Sequence, residues 1–184
     1  MNPADNISGR VVVISGGATG IGRAMALGLL ARGCRVAVVD LKDDALTRFE
    51  QDARRANAAA EVLAVQGDVT QFDDCERAVT AVVRRFGALD GLVNNAGLGM
   101  RAIKEDNLAS PVRFWEVEPA RWERVVNVNF KGSFLMAHSA APHMLAQKRG
   151  RIVNVTTSLD TMLRAAYTPY GQSKAALEAA TVSW

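Results

Sequence analysis

Arg10-Val11-Val12-Val13-Ile14-Ser15-Gly16-Gly17-Ala18-Thr19-Gly20-Ile21-Gly22 is the stretch on which the fold turns. Its first half is a nearly continuous apolar run rich in β-branched residues, the pattern of a strand covered by helices on both faces. Its second half is a glycine-rich turn that opens into a helix. Glycines at such a turn let the backbone bend tightly and approach a ligand, and the helix N-terminus presents unpaired N–H groups to an anion such as a pyrophosphate. The spacing Gly16-xxx-Gly20-x-Gly22 departs from the GxGxxG fingerprint. Taken alone, it also fits a tight turn with no ligand.

Working outward, residues 35–39, 61–65, 89–93 and 151–155 repeat the short β-rich pattern. Helical patterns lie between them over 21–31, 42–58 and 72–86, and a long one runs from Pro119 to roughly Gln147. Pro119 suits a first helical turn, and Gly33 and Gly87 suit helix stops. Repeated β-α-β units with short connections predict an α/β fold: a Rossmann-like, doubly wound parallel sheet in a three-layer α/β/α sandwich. The chain has 184 residues, of which 49% are hydrophobic and 22% charged, enough to bury a core and to exclude a disordered chain. Two domains would each be small and marginal, so one domain is expected over residues 1–184. The one long connection, Leu98 to Glu118, has room to be a substrate-facing loop.

Lysines and arginines exceed acids by 22 − 19 = 3, but the charges are interleaved. Basic pairs such as Arg54-Arg55, Arg84-Arg85 and Lys148-Arg149 fall near helix ends, where cations complement the helix dipole. No nucleic-acid partner is therefore expected. Cys34 and Cys75 lack metal-ligand spacing and read as free thiols of a reducing compartment, so no metal is expected. The opening MNPADNISGR has no apolar core of a leader peptide. The longest stretch without Asp, Glu, Lys or Arg, Gly132 to Gln147, is too short and too polar to cross a bilayer. A cytoplasmic protein without a membrane partner is the expectation.

Asp40 ends the second strand, 20 residues after Gly20, where a dinucleotide fold places the acid that holds the adenine ribose hydroxyls. A carboxylate there repels the extra phosphate of NADP, and neither Ala18 nor Thr19 supplies a cation to receive one. NAD is favoured over NADP, although Lys42 and Arg23 lie close in sequence. The plainer alternative is that Asp40 caps the next helix. Tyr170 and Lys174 are four apart and share a face if Pro169 opens a helix. A tyrosine is a poor base at neutral pH, and a nearby ammonium favours its phenolate. Tyr167 lacks such a partner, since four residues beyond it lies Gly171.

The glycine turn, Gly67-Asp68-Val69, Asn94-Asn95-Ala96-Gly97 and Tyr170-Gly171-Gln172-Ser173-Lys174, in that order, resemble the short-chain dehydrogenase/reductase family. The likeness is to its single-domain GxxxGxG branch and spans Ile7 to Trp184. It implies an NAD(P)-dependent oxidoreductase moving hydride between the nicotinamide and a secondary alcohol or ketone. The resemblance assigns the cofactor to Gly16, Ala18, Thr19, Gly20, Ile21, Gly22, Asp40 and Leu41, with Asp68 and Val69 at the adenine. Asn95, Ala96 and Gly97 would line its central portion, with Asn94 partly structural.

By the same resemblance, Tyr170 is the general acid/base, and Lys174 lowers its pKa and holds the nicotinamide ribose. A serine that polarises the substrate oxygen stands thirteen residues before the family's tyrosine; that count lands on Thr157, while Ser158 lies twelve before, and both are carried. Asn129 would sit at an irregularity of the long helix and help hold a water that links the lysine to solvent, with Asn127 an ordinary packing or capping residue. The family also implies a homo-oligomer, dimer or tetramer, built on the long helix and the Tyr-Lys helix. His138 and His143 read as structural or surface residues, and Trp115 and Trp122 as either lining the substrate mouth or packing in the core.

The helix opening at Tyr170 runs to Trp184 without a glycine stop or a following strand, whereas the family continues with two more strands and further helices. The sheet is therefore expected to miss its last strands and to end at an edge near 152–155. Truncation of a longer enzyme is the favoured explanation, beside a natural fragment and a chain completed by a partner. The rival function is a non-catalytic dinucleotide-binding or dimerising fragment.

Overall fold

The computed structural model describes residues 6–107 and 109–184. Strands β1 (Val11–Ser15), β2 (Arg35–Asp40), β3 (Val62–Gln66), β4 (Gly91–Asn94) and β5 (Arg151–Asn154) alternate with helices. The helices are α1 (Gly20–Ala31), α2 (Asp43–Ala56), α3 (Phe72–Phe86), α4 (Pro119–Val126), α5 (Gly132–Ala146), α6 (Leu159–Met162) and α7 (Tyr170–Ser183). The sheet order is β3-β2-β1-β4-β5, and every pairing is parallel. Strand order reverses at β1, so a crevice opens beyond the carboxyl ends of β1 and β4.

The continuous apolar run of β1 is explained by its two covered faces. Val11 and Val13 pack with Val79, Val82 and Met136 of α3 and α5, whereas Ile14 packs with Ala26, Leu46 and Phe49 of α1 and α2. Gly87 ends α3 at a φ of +76°, a conformation that costs a glycine nothing.

Most element ends fall within a residue or two of the sequence reading, and two differences have a physical reason. The fourth strand begins at Gly91 rather than Leu89: Leu89 is fully buried, and Asp90 is taken up by hydrogen bonds from Val11 N, Arg10 and Arg149. The long helix is divided, with a π-helical turn over Asn127–Lys131 joining α4 to α5. That turn is the irregularity expected around Asn129. The sheet does end at β5, which pairs with β4 alone among the described residues and leaves Val153 53% exposed. The 98–118 loop is pinned from inside by Asn107, whose amide donates to Ala166 O at 3.4 Å and accepts from Val112 N at 3.1 Å.

Candidate active site

Two adjoining clefts occupy the crevice. The first, about 720 Å³, runs past the glycine turn and the ends of β2, β3 and β4, with α4 on its far side. The second, about 740 Å³, lies between the 98–118 loop and the start of α7. Ile21, Asn95, Gly97 and Leu98 line both, so together they form one trough from Asp40 to Tyr170.

The glycine turn is held by its neighbours. Gly16 has a φ of +62°, and a Cβ there would stand 2.8 Å from Ala96 Cα. Asn95 Nδ2 donates to Ser15 O at 3.1 Å and to Gly16 O at 2.9 Å, and Ser15 Oγ accepts from Asn95 N at 3.1 Å and Ala96 N at 3.2 Å. Gly20 has a φ of +53°, and a Cβ there would meet no protein atom within 4 Å. The open space above α1's first residue fits a group bound at the helix N-terminus. Asp40 Oδ2 accepts from Ala18 N at 3.1 Å and Oδ1 from Leu41 N at 2.9 Å. The carboxylate therefore steadies the turn and does not cap α2, which has Lys42 at its N-cap. Asp68 folds onto its own loop, accepting from Thr70 N at 2.9 Å and Thr70 Oγ1 at 2.8 Å.

Pro169 does precede a helix, and its first residue, Tyr170, lines the second cleft with Lys174. Lys174 is 4% exposed and donates to Val155 O at 2.6 Å; burial pushes its pKa below the usual lysine value. Asn129, fully buried, grips Leu98 at both main-chain polar atoms, accepting from Leu98 N at 2.7 Å and donating to Leu98 O at 3.0 Å. Its remaining amide hydrogen goes to Ser173 Oγ at 3.0 Å, and Ser173 Oγ donates to Tyr170 O at 2.8 Å. The π-helical turn is thus tied both to the 98–118 loop and to the first turn of α7. Asn94 donates to Ser133 O and Asn154 Oδ1, consistent with a structural part.

Of the expected cofactor residues, Gly16, Thr19, Gly20, Ile21, Asp40, Leu41, Asp68, Val69, Asn95, Ala96 and Gly97 line the first cleft. Ala18 and Gly22 line neither cleft: Ala18 is buried, and Gly22 packs against Gly16 O. Thr157 is half-buried and Ser158 exposed, and neither lines the second cleft, whereas Thr156 and Thr161 do. Ser158 is committed to the N-cap of α6, accepting from Thr161 N at 3.3 Å. Trp115 and Trp122 are exposed and line neither cleft, so they meet neither the core-packing nor the substrate-mouth alternative. Among the described residues no cluster of His, Cys, Asp or Glu could hold a metal ion. Cys34 and Cys75 are buried free thiols, and burial pushes the Cys75 pKa up to about 12.

Sequence reasoning missed the far wall of the first cleft, built by Ala120, Glu123, Arg124, Asn127 and Val128. The 120/124/128 spacing was its only signal. It also passed over Tyr167, which lines the second cleft edge-on to Tyr170, with ring centroids 6.4 Å apart.

A family model described as short chain dehydrogenase matches residues 10–184. The chain belongs to the short-chain dehydrogenase family. This is a family of oxidoreductases that bind nicotinamide cofactors. This short-chain dehydrogenase chain is 31% identical over 184 residues to sorbitol-6-phosphate 2-dehydrogenase of Klebsiella pneumoniae, covering 100% of this chain and 65% of that protein. It is 36% identical over 168 residues to 2-(R)-hydroxypropyl-CoM dehydrogenase of Xanthobacter autotrophicus, covering 91% and 64%. Among solved structures, NAD+-bound xylitol dehydrogenase superposes with a TM-score of 0.86 at 29% identity, covering 97% of this chain and 65% of that one. The chain spans about half to two thirds of the length of the curated relatives it matches. Among the described residues no helix is long and apolar enough to cross a membrane.

Proposed function

We propose that the chain carries the cofactor and proton-transfer machinery of an NAD-dependent dehydrogenase or reductase acting on a secondary alcohol or ketone. The observation that carries this reading is the continuous trough: a two-part ligand entering over α1 at Asp40 reaches Tyr170 and Lys174 without leaving it. The α1 N-terminus and the glycine turn would hold the pyrophosphate, Asp40 the adenine ribose, and Lys174 the nicotinamide ribose. When bound, the nicotinamide supplies or accepts a hydride. Tyr170 Oη takes the hydroxyl proton in the oxidative direction and returns it in the reductive one. Thr157 or Ser158 supplies the hydroxyl to the substrate oxygen; the thirteen-residue spacing favours Thr157, and Ser158 Oγ already accepts from Thr161 N at the start of α6. Asp40 supports NAD over NADP, since a carboxylate at that position repels an added phosphate.

The test pairs turnover with binding. Tyr170→Phe is expected to lower turnover of a panel of secondary alcohols and ketones by about a thousandfold while NADH affinity stays within about twofold. Retained turnover would refute the assignment. The exposed edge of β5 favours a second reading, a dinucleotide-binding unit without catalysis. NADH binding with no turnover of any panel member in the wild-type chain would establish that one instead. Self-association through α5 and α7, as a dimer or tetramer, completes the proposal; both helices carry exposed aromatic rings, Phe134 and, just past α7, Trp184.

A further inference from the structure

The charge lining the first cleft is unbalanced. Three of its lining side chains are acids, Asp40, Asp68 and Glu123, against one cation, Arg124. A dinucleotide brings a doubly negative pyrophosphate into this field. The N–H groups and dipole of α1 offset part of that charge, but no Lys or Arg of the glycine turn or of the β2 and β3 ends lines the cleft. Arg23, on the first turn of α1, is held elsewhere by Asp52 at 2.7 Å. Lys42 stands at the N-cap of α2 outside the cleft lining.

Arg124 comes from the opposite side. Ala120, Arg124 and Val128 follow one another at helical spacing and turn the same face to the cleft. The neighbouring Val125 points away and is fully buried beside Met100 and Ile103, which fixes the rotation of α4. Arg124 is exposed, and its guanidinium makes no ion pair among the described residues.

From these placements we infer that Arg124 is a cofactor-binding residue, its guanidinium set across the cleft as the cation that answers the negative charge of a nicotinamide dinucleotide. The inference rests on the cofactor reading of the trough and adds to it a residue that lies in none of the four motifs. Its role is electrostatic attraction rather than shape, so a lysine can replace the arginine, and salt weakens the contribution at an exposed site.

Fluorescence titration of the chain with NADH tests this at about 0.02 M and about 0.5 M salt. Arg124→Ala is expected to raise Kd by about fivefold at low salt and by less than about twofold at high salt. Arg124→Glu should raise it further, and Arg124→Lys should stay near the wild type. Arg113→Ala, a cation on the 98–118 loop that stacks over Trp115, should leave Kd unchanged. Equal affinity for wild type and Arg124→Ala at low salt overturns the inference and leaves the cofactor reading standing. Loss of affinity in Arg124→Lys equal to that in Arg124→Ala, with no salt dependence, also overturns it. Absence of NADH binding in the wild-type chain overturns both the inference and the reading beneath it.

Discussion

Lys174 places an ammonium in the interior, where it donates to Val155 O at 2.6 Å, its one hydrogen-bond partner among the described residues. Burial disfavours the charged form, so its folded pKa lies below the ordinary 10.5. The fold then holds that proton less tightly than the unfolded chain does. The resulting destabilisation is complete below the folded pKa and disappears as pH rises from there toward 10.5. Lys174→Met is therefore expected to raise Tm by about 2–4 °C near neutral pH, the equivalent of roughly 1 kcal/mol, while turnover is lost. The Tm advantage should shrink in alkaline buffer; a thermal scan showing a lower Tm for the variant at pH 7 would mean that the Val155 bond outweighs desolvation. Asn95 presents the opposite balance, a side chain that stabilises the site it lines. Asn95→Ala leaves Ser15 O and Gly16 O without its amide and should cost about 1–2 kcal/mol in urea unfolding, with weaker NADH binding as the turn loosens.

The elements of the sheet are strapped together at their amino ends by Asp90. Its carboxylate accepts from Val11 N at 3.0 Å, Arg10 at 3.2 Å and Arg149 at 2.8 Å, joining β1, β4 and the approach to β5. Burial by itself would raise its pKa, and the donors from Val11, Arg149 and Arg10 together outweigh that and hold it below 3.8. A depressed carboxylate pKa contributes stability that is present above the unfolded value and lost as pH falls through the folded one. Asp90→Asn should cost about 1–2 kcal/mol at pH 7, and the urea midpoints of variant and wild type should converge below pH 4 or so. The element pattern itself was readable because β1, β2 and β4 bury both faces, and Gly16, Gly20 and Gly87 take positive φ at their turns. β4 was misplaced by two residues because Leu89, apolar and fully buried, mimics a strand position while Asp90 serves the strap. Among Thr156, Thr157 and Ser158, three hydroxyls in a row, spacing alone could not show that Ser158 caps α6; only the start of that helix at Leu159 does. The cleft-facing side of α4 was equally hidden, since no motif marks Glu123 and Arg124, and only the burial of Val125 beside Met100 and Ile103 fixes the rotation of the helix.

At the scale of the whole molecule, an aromatic row crosses the surface from α3 to the end of α7. Phe72 meets His138 edge-on at 5.5 Å between centroids, His138 lies 5.8 Å from Phe134, and Phe134 lies 6.3 Å from Trp184. Phe72, Phe134 and Trp184 are 44%, 45% and 49% exposed, so the row is half in water. A contiguous patch of this kind is more than scattered surface apolarity. It lies on α5 and α7, the helices through which the chain is proposed to pair with a second copy. A self-complementary twofold contact would bury the row against itself and needs only one patch. Phe134→Glu places two carboxylates at the centre of such a contact and should convert the associated form to monomer in light scattering at micromolar protein. Because Phe134 lines neither cleft, NADH affinity should remain within about twofold of the wild type, as expected for a surface change away from the site. A wild-type chain that is monomeric throughout the concentration range removes the second copy as the occupant of this face. The aromatic row would then be left as packing against the mouth of α3, where Phe72 and His138 already meet.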